Sequence, residues 1–316
     1  MTGVLGAWAV PRRVLMLSLL ATIVLLSPLA GAYLLAGAPA AIGVVMGYLA
    51  GARPALTLRP HHAMAVAVPA AMTGAVAVAL RGQPFAAACF VALCCLLVAP
   101  ASMRSDGLMA AVPSIAAVLV SVPGDFRPEI ITGWMLLGSA VMVLIGTRIG
   151  SPERSEEDGV EPARAWRHAI AMGAAVGLTV YAVGLLDWPH GYWIALTLTV
   201  VLRPFDDQTL QRSWQRVLGT IGGVVLAVVL AAVLPLWAVG AAVAACLVLA
   251  LAYIMLADYP KQVVFLTPSV VLLGSASPGA LATERALFTV AGAALAGAIA
   301  VALAWYDNRR TKEIVE

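Results

Sequence analysis

Residues 191–223 read GYWIALTLTVVLRPFDDQTLQRSWQRVLGTIGG. The first twelve residues are apolar and open on Gly191-Tyr192-Trp193. The run stops at Leu202-Arg203-Pro204, where proline has no N–H to continue a helix. A polar stretch, Phe205 to Gln215, follows, and then a new apolar run begins. A short span, a polar turn and a returning span are therefore predicted. The opening recurs 144 residues earlier, where Gly47-Tyr48 leads to Leu58-Arg59-Pro60 at the same spacing. A second set recurs at an offset of 155: Pro113-Ser114, Pro123-Gly124 and Glu129 reappear as Pro268-Ser269, Pro278-Gly279 and Glu284. Tyr, Arg, Pro and Glu coincide by chance far less often than Ala, Leu or Gly. The chain reads as a duplicated unit.

Of 316 residues, 62% are hydrophobic and 11% charged, against about 25% charged in an ordinary soluble domain. Apolar runs fill the whole chain. That predicts a polytopic membrane protein, not an anchored enzyme. The stretch from Val14 to Leu35 is too long for a signal-peptide core and reads as a first span. Spans are predicted near 14–35, 38–52, 62–80, 85–100, 108–122 and 130–149. Six more fall near 167–186, 189–202, 215–233, 236–256, 261–274 and 284–305. The second, fifth, eighth and eleventh are short, and partial re-entry suits them as well as crossing.

The expected fold is all-α, about twelve transmembrane helices in two parallel six-helix repeats. Residues 1–150 form the first repeat, 151–165 a charged cytoplasmic linker and 166–316 the second. With the N-terminus in the cytoplasm, sixteen of the nineteen Lys and Arg lie inside and only Arg81, Arg127 and Arg285 outside. That asymmetry sets the orientation. An even number of spans makes the repeats parallel, with a pathway expected between them.

Arg212 and Arg216, four apart, share a helical face, with Gln208 one turn earlier. With Arg203 they would gather at the cytoplasmic mouth. Guanidinium groups there raise local anion concentration and grip carboxylates in bidentate fashion. Arginine at a cytoplasmic helix end also satisfies the orientation rule without any ligand, and Asp206 and Asp207 can neutralise it. Gly219 and Gly223 form a small-xxx-small pair that lets a helix approach closely.

Pro113-Ser114 and Pro268-Ser269 lie at matched places in the fifth and eleventh spans. A proline inside a span frees a carbonyl, and Ser114, Thr267 and Ser269 can bond it or a solute. Matched interruptions point to a midplane site, although proline also simply shapes membrane packing. Tyr192 and Trp193 are placed to stack on an aromatic substrate or to serve as interfacial residues, and Trp188, Trp214 and Trp305 read as interfacial. Asp258 and Glu284 are the carboxylates that could couple a proton, although helix-end or interfacial roles suit them better. His168, near the linker, reads as solvated. Cys89, Cys94, Cys95 and Cys246 lie in apolar runs at spacings that match no zinc or redox motif.

The run Tyr192-Trp193, Leu196-Thr197, Val201 to Pro204, Thr209, Arg212, Arg216, Gly219-Thr220 and Gly223 resembles the signature of the fusaric acid resistance family of aromatic acid exporters. Plant aluminium-activated malate transporters are more distantly similar. The resemblance implies efflux of small organic, often aromatic, carboxylates across the bacterial inner membrane. The charge count places both termini in the cytoplasm; an ion gradient is the expected energy source, and similarity to the plant proteins makes a homodimer one possible assembly. A passive anion channel and a non-transporting membrane scaffold are the alternatives. No phosphate-binding loop, metalloprotease helix or nucleophile elbow occurs, so no cofactor and no enzyme chemistry are expected. No basic tract interleaved with aromatics suggests nucleic acid.

Overall fold

The structure is a computed structural model that describes residues 8–103, 109–149, 161–202, 209–274 and 278–315. The helices in chain order are α1 (Arg12–Thr57), α2 (Pro60–Ala79), α3 (Pro84–Leu96), α4 (Val98–Ser102), α5 (Ala111–Ser121) and α6 (Pro128–Ile149). They continue as α7 (Pro162–Leu185), α8 (Tyr192–Val201), α9 (Thr209–Val233), α10 (Leu236–Met255), α11 (Tyr259–Gly274) and α12 (Pro278–Val315). No strand occurs among the described residues.

Among the described residues, eight helical stretches are long and apolar enough to cross a membrane: α1, α2, α3 with α4, α6, α7, α9, α10 and α12. Their outer surfaces suit lipid, since Leu34 and Leu35 are 83% and 81% exposed. Within the helices the backbone N–H and C=O groups pair with one another, as hydrocarbon requires. Helix starts follow the prolines. Pro60, Pro84 and Pro162 each occupy a first helical turn, where a missing N–H costs nothing.

The predicted spans need two adjustments. Spans 14–35 and 38–52 share the 46-residue α1, which is broken at Gly37 by φ of +77°. Only glycine takes that conformation without strain. Helices α5 and α8 have 11 and 10 residues, so each rises about 16 Å or less. A hydrocarbon core is about 30 Å thick. Neither crosses alone, and of the two options open for these short segments the lengths favour partial penetration.

The chain forms two compact units. One comprises Met1–Ser27 with Gln211–Val290, the other Pro28–Leu210 with Ala291–Glu316. These follow contacts, whereas the repeats read from the sequence follow chain order, so the two divisions differ. In the larger unit α3 packs on α7, α2 on α5 and α6, and α5 on α8. Its core includes Ile115, Leu119, Ile131, Met135 and Leu198, all essentially inaccessible. In the smaller unit α10 packs on α11.

Close approach in both units depends on glycine. A Cβ on Gly47 of α1 would overlap the Met135 carbonyl of α6, and one on Gly138 would overlap the Val44 carbonyl. In the smaller unit, a Cβ on Gly219 would come within 2.8 Å of Val263 and one on Gly223 within 2.5 Å of Thr267. The expected small-xxx-small pair therefore seats α11 against α9.

Candidate functional site

Helix α9 is amphipathic in the sense opposite to a soluble helix. It exposes Trp214, Leu218, Ile221, Val225, Val228 and Val229. It buries Ser213, Arg216, Gly219, Thr220, Gly223 and Ala227. These buried positions recur every three or four residues, so they form one stripe. Water outside would reverse the pattern; lipid outside accounts for it.

Arg216 is 8% exposed. Its Nη1 lies 3.5 Å from the Tyr259 hydroxyl at the start of α11. Its Nε has no hydrogen-bond partner. Arg212, one turn earlier, is half-buried and engaged in interactions of its own. Arg203 lies outside the described residues. Of the three predicted arginines the structure thus places two on one helix, at different depths of burial.

Helix α11 carries Thr267, Pro268 and Ser269, all buried. Pro268 lies inside the helix. It leaves the Val264 carbonyl without its helical donor, and that carbonyl faces Gly223 of α9. Thr267 Oγ1 donates to Val263 O at 2.9 Å and Ser269 Oγ to Phe265 O at 3.3 Å. Both hydroxyls are thus used within their own helix.

Pro113 requires a correction. It was expected to interrupt a span, as Pro268 does, but it sits in the first turn of α5. There its missing N–H frees no carbonyl. Its neighbour Ser114 has the stronger role. Ser114 Oγ lies 2.7 Å from Thr199 Oγ1 of α8, a buried hydroxyl pair. The two half-length helices of the larger unit are joined at this point. Thr199 was not among the predicted residues.

Tyr192 and Trp193 open α8 with ring centroids 4.8 Å apart. Trp193 is 7% exposed, so it is a packing residue and not an interfacial one. His168 likewise departs from expectation. It is 8% exposed, hydrogen-bonds the backbone of Leu202, and leaves Nε2 without a partner. Helix α7 is thereby tied to the C-terminal end of α8.

Asp258 binds Lys261 Nζ at 2.6 Å and accepts from the Lys261 backbone N–H at 3.3 Å. Lys261 Nζ also lies 5.3 Å from the Tyr253 ring and 5.4 Å from that of Trp8. The Asp258 carboxylate thus serves a helix start and an ion pair. Glu284 is half-buried within α12, beside Arg285, which is 3% exposed. Between α2 and α3, Arg81 donates to the carbonyls of Val122 and Gly124 and stacks 4.6 Å over Phe126. Burial lowers the Arg81 pKa from its ordinary value, and Asp125 opposes that shift. No cluster of three or more metal-ligating side chains occurs among the described residues.

Of the residues that matter in this geometry, Ser213 and Thr220 were given no site role by the sequence, Thr199 was not singled out and His168 read as solvated. The signal for the first two was present: with Arg216 they repeat at helical spacing along an otherwise apolar run.

Residues 176–299 match the family described as fusaric acid resistance protein-like. The match includes α8, α9, α11 and the first half of α12, and so Arg212, Arg216, Thr267 and Ser269. It bears out the resemblance carried by residues 192–223. An uncharacterized protein of Synechocystis sp. is 42% identical over 62 residues, which is 19% of this chain and 8% of that one. Uncharacterized protein ORF2 of Neisseria gonorrhoeae is 35% identical over 75 residues, 24% of this chain and 17% of its own length. The aligned stretch is thus a small fraction of either relative. No solved structure matches the chain. Among the described residues the molecule is all-helical, with many helices fit to cross a membrane, and residues 176–299 are similar to the fusaric acid resistance protein-like family.

Proposed function

We propose that this protein exports small organic carboxylates, aromatic ones included, across a bacterial inner membrane. The observation that carries the reading is the polar stripe of α9. A helix that turns Ser213, Arg216 and Thr220 inward and its large apolar side chains outward supplies a polar lining where lipid cannot reach. Arg203 and Arg212 would collect anions at the cytoplasmic end, and Arg216 would receive them. The Ser114–Thr199 pair would line a second polar point, at the junction of two half-length helices. Broken or short helices near the membrane midplane are where transported solutes bind.

In this reading the chain is two parallel repeats, residues 1–150 and 166–316, joined by the charged linker. Both termini lie in the cytoplasm, and an ion gradient drives efflux. The matched landmarks and the charge asymmetry support that arrangement. So does recurrent packing: the glycine-mediated contact of α1 with α6 has a counterpart where Gly292 of α12 meets Thr197 of α8. Asp258 and Glu284 are the proposed proton-coupling groups, and the functional unit is a monomer or a homodimer in the bilayer.

The test is reconstitution into liposomes loaded with 4-hydroxybenzoate at pH 8. Saturable efflux accelerated by an imposed proton gradient supports a coupled exporter. Ohmic current indifferent to that gradient replaces it with a passive anion channel. Efflux no faster than from protein-free liposomes removes transport altogether and leaves a scaffold.

A further inference from the structure

We infer that Arg216, Ser213 and Thr220 form a dehydrated binding station for a single carboxylate group, distinct from the capture arginines at the mouth. The inference rests on the transport reading for its purpose, but its evidence is local. A guanidinium in a buried site needs a counter-charge, and an isolated one costs several kcal/mol of desolvation. Arg216 is 8% exposed, yet its described contact is the neutral Tyr259 hydroxyl at 3.5 Å. No carboxylate pairs with it among the described residues.

The free edge of this guanidinium has a defined shape. Nη1 is turned toward Tyr259. Nε, without a partner, shares the other edge with Nη2. Those two N–H groups form the side-on fork that accepts both oxygens of one carboxylate.

The flanking hydroxyls add an independent observation. Buried Thr197 of α8 has no partner, but several buried or half-buried threonines donate to their own helix, as Thr22 does to Ser18 O at 2.7 Å and Thr179 to Ala175 O at 2.7 Å. Ser213 Oγ and Thr220 Oγ1 do not, and neither has any partner although both are buried. They lie one turn before and one turn after Arg216, so the three define a track of about 10 Å along α9. One cation with two neutral donors matches one negative charge. The ligand class is therefore a monocarboxylate. A dicarboxylate would bring a second charge that the track does not neutralise.

The test uses the full chain in nanodiscs, with 4-hydroxybenzoate and phthalate as probes in isothermal titration. Arg216→Gln is expected to weaken 4-hydroxybenzoate binding at least about tenfold, the loss of one charge-assisted hydrogen bond. Arg216→Lys should not restore it, because an ammonium lacks the fork. The double variant Ser213→Ala with Thr220→Val should weaken binding several-fold while leaving the helix packed. Phthalate should bind at least about tenfold more weakly than 4-hydroxybenzoate.

Arg216→Met supplies a readout that a structural arginine would not give. Its melting temperature in carboxylate-free buffer should equal or exceed that of the wild type, and 4-hydroxybenzoate should stabilise the wild type alone. Unchanged affinity in Arg216→Gln, or a lowered melting point for Arg216→Met without ligand stabilisation of the wild type, overturns the station. Equal affinity for phthalate overturns its assignment to one carboxylate. Arg216-dependent binding without flux would keep the station and remove the transport reading. Flux indifferent to Arg216→Gln would keep transport and remove the station.

Discussion

Ser114 and Thr199 are 85 positions apart in sequence and 2.7 Å apart in the fold. Both hydroxyls are buried; Thr199 Oγ1 also donates to the Leu196 carbonyl at 3.0 Å, so removing Thr199 strands Ser114, whereas removing Ser114 leaves Thr199 bonded within its own helix. Interhelical hydrogen bonds in membrane proteins contribute about 0.6 kcal/mol on average and about 1.7 at most. Ser114→Ala and Thr199→Val should each destabilise the protein, and a double-mutant cycle in reversible detergent unfolding should return a coupling energy in that range. His168 offers a comparable case. His168→Leu deletes its bond to the Leu202 backbone and should lower the melting temperature, whereas Asn or Gln should recover part of the loss. At this scale the sequence was informative about charge and less so about burial. Arg212, Arg216, Ser114 and Ser269 were singled out by type and spacing. Thr199 and His168 were not, because nothing in a local pattern shows which side of a short helix faces a neighbour. Pro113 and Pro268 show the same limit: identical dipeptides, one opening a helix and one inside it.

Helices were the most legible level. Long apolar runs bounded by Pro and Gly predict them, and α10 was read to within a residue of its observed limits. The break at Gly37 was also visible as the gap between two predicted spans. What the pattern did not show is how closely α1 and α6 approach. Ser139 Oγ donates to the Gly47 carbonyl at 3.0 Å, a distance possible only because neither Gly47 nor Gly138 carries a side chain. Gly47→Val should cost about 1–3 kcal/mol through overpacking, read as a lower melting temperature, while the same change at Gly31, which meets nothing within 4 Å, should be nearly silent. The turn after α5 depends on a different device. Arg81 holds the Val122 and Gly124 carbonyls and covers Phe126. Arg81→Ala should therefore loosen that turn and speed hydrogen exchange at residues 122–126, with Arg81→Lys recovering little because it cannot fork to two carbonyls.

At the scale of the whole molecule, membrane class follows from composition, and inverted amphipathicity in α9 supports it from geometry. Duplication was suggested by landmark residues, not by overall similarity, because Ala and Leu dominate both halves. The contact-based units do not follow the midpoint of the chain, which no sequence pattern could have shown. The proposed topology puts residue 156 in the cytoplasm and residue 127 outside. Single cysteines introduced at those positions into a variant lacking Cys89, Cys94, Cys95 and Cys246 should react with an impermeant maleimide from opposite sides of oriented membrane vesicles. Labelling of both from one side would reverse the assignment of at least one half. The most direct test of the account is 4-hydroxybenzoate efflux from proteoliposomes at pH 8, with wild type and Arg216→Gln reconstituted at equal density. Saturable wild-type efflux that falls at least about tenfold in the variant is the predicted result; identical rates in wild-type, variant and protein-free liposomes would contradict it.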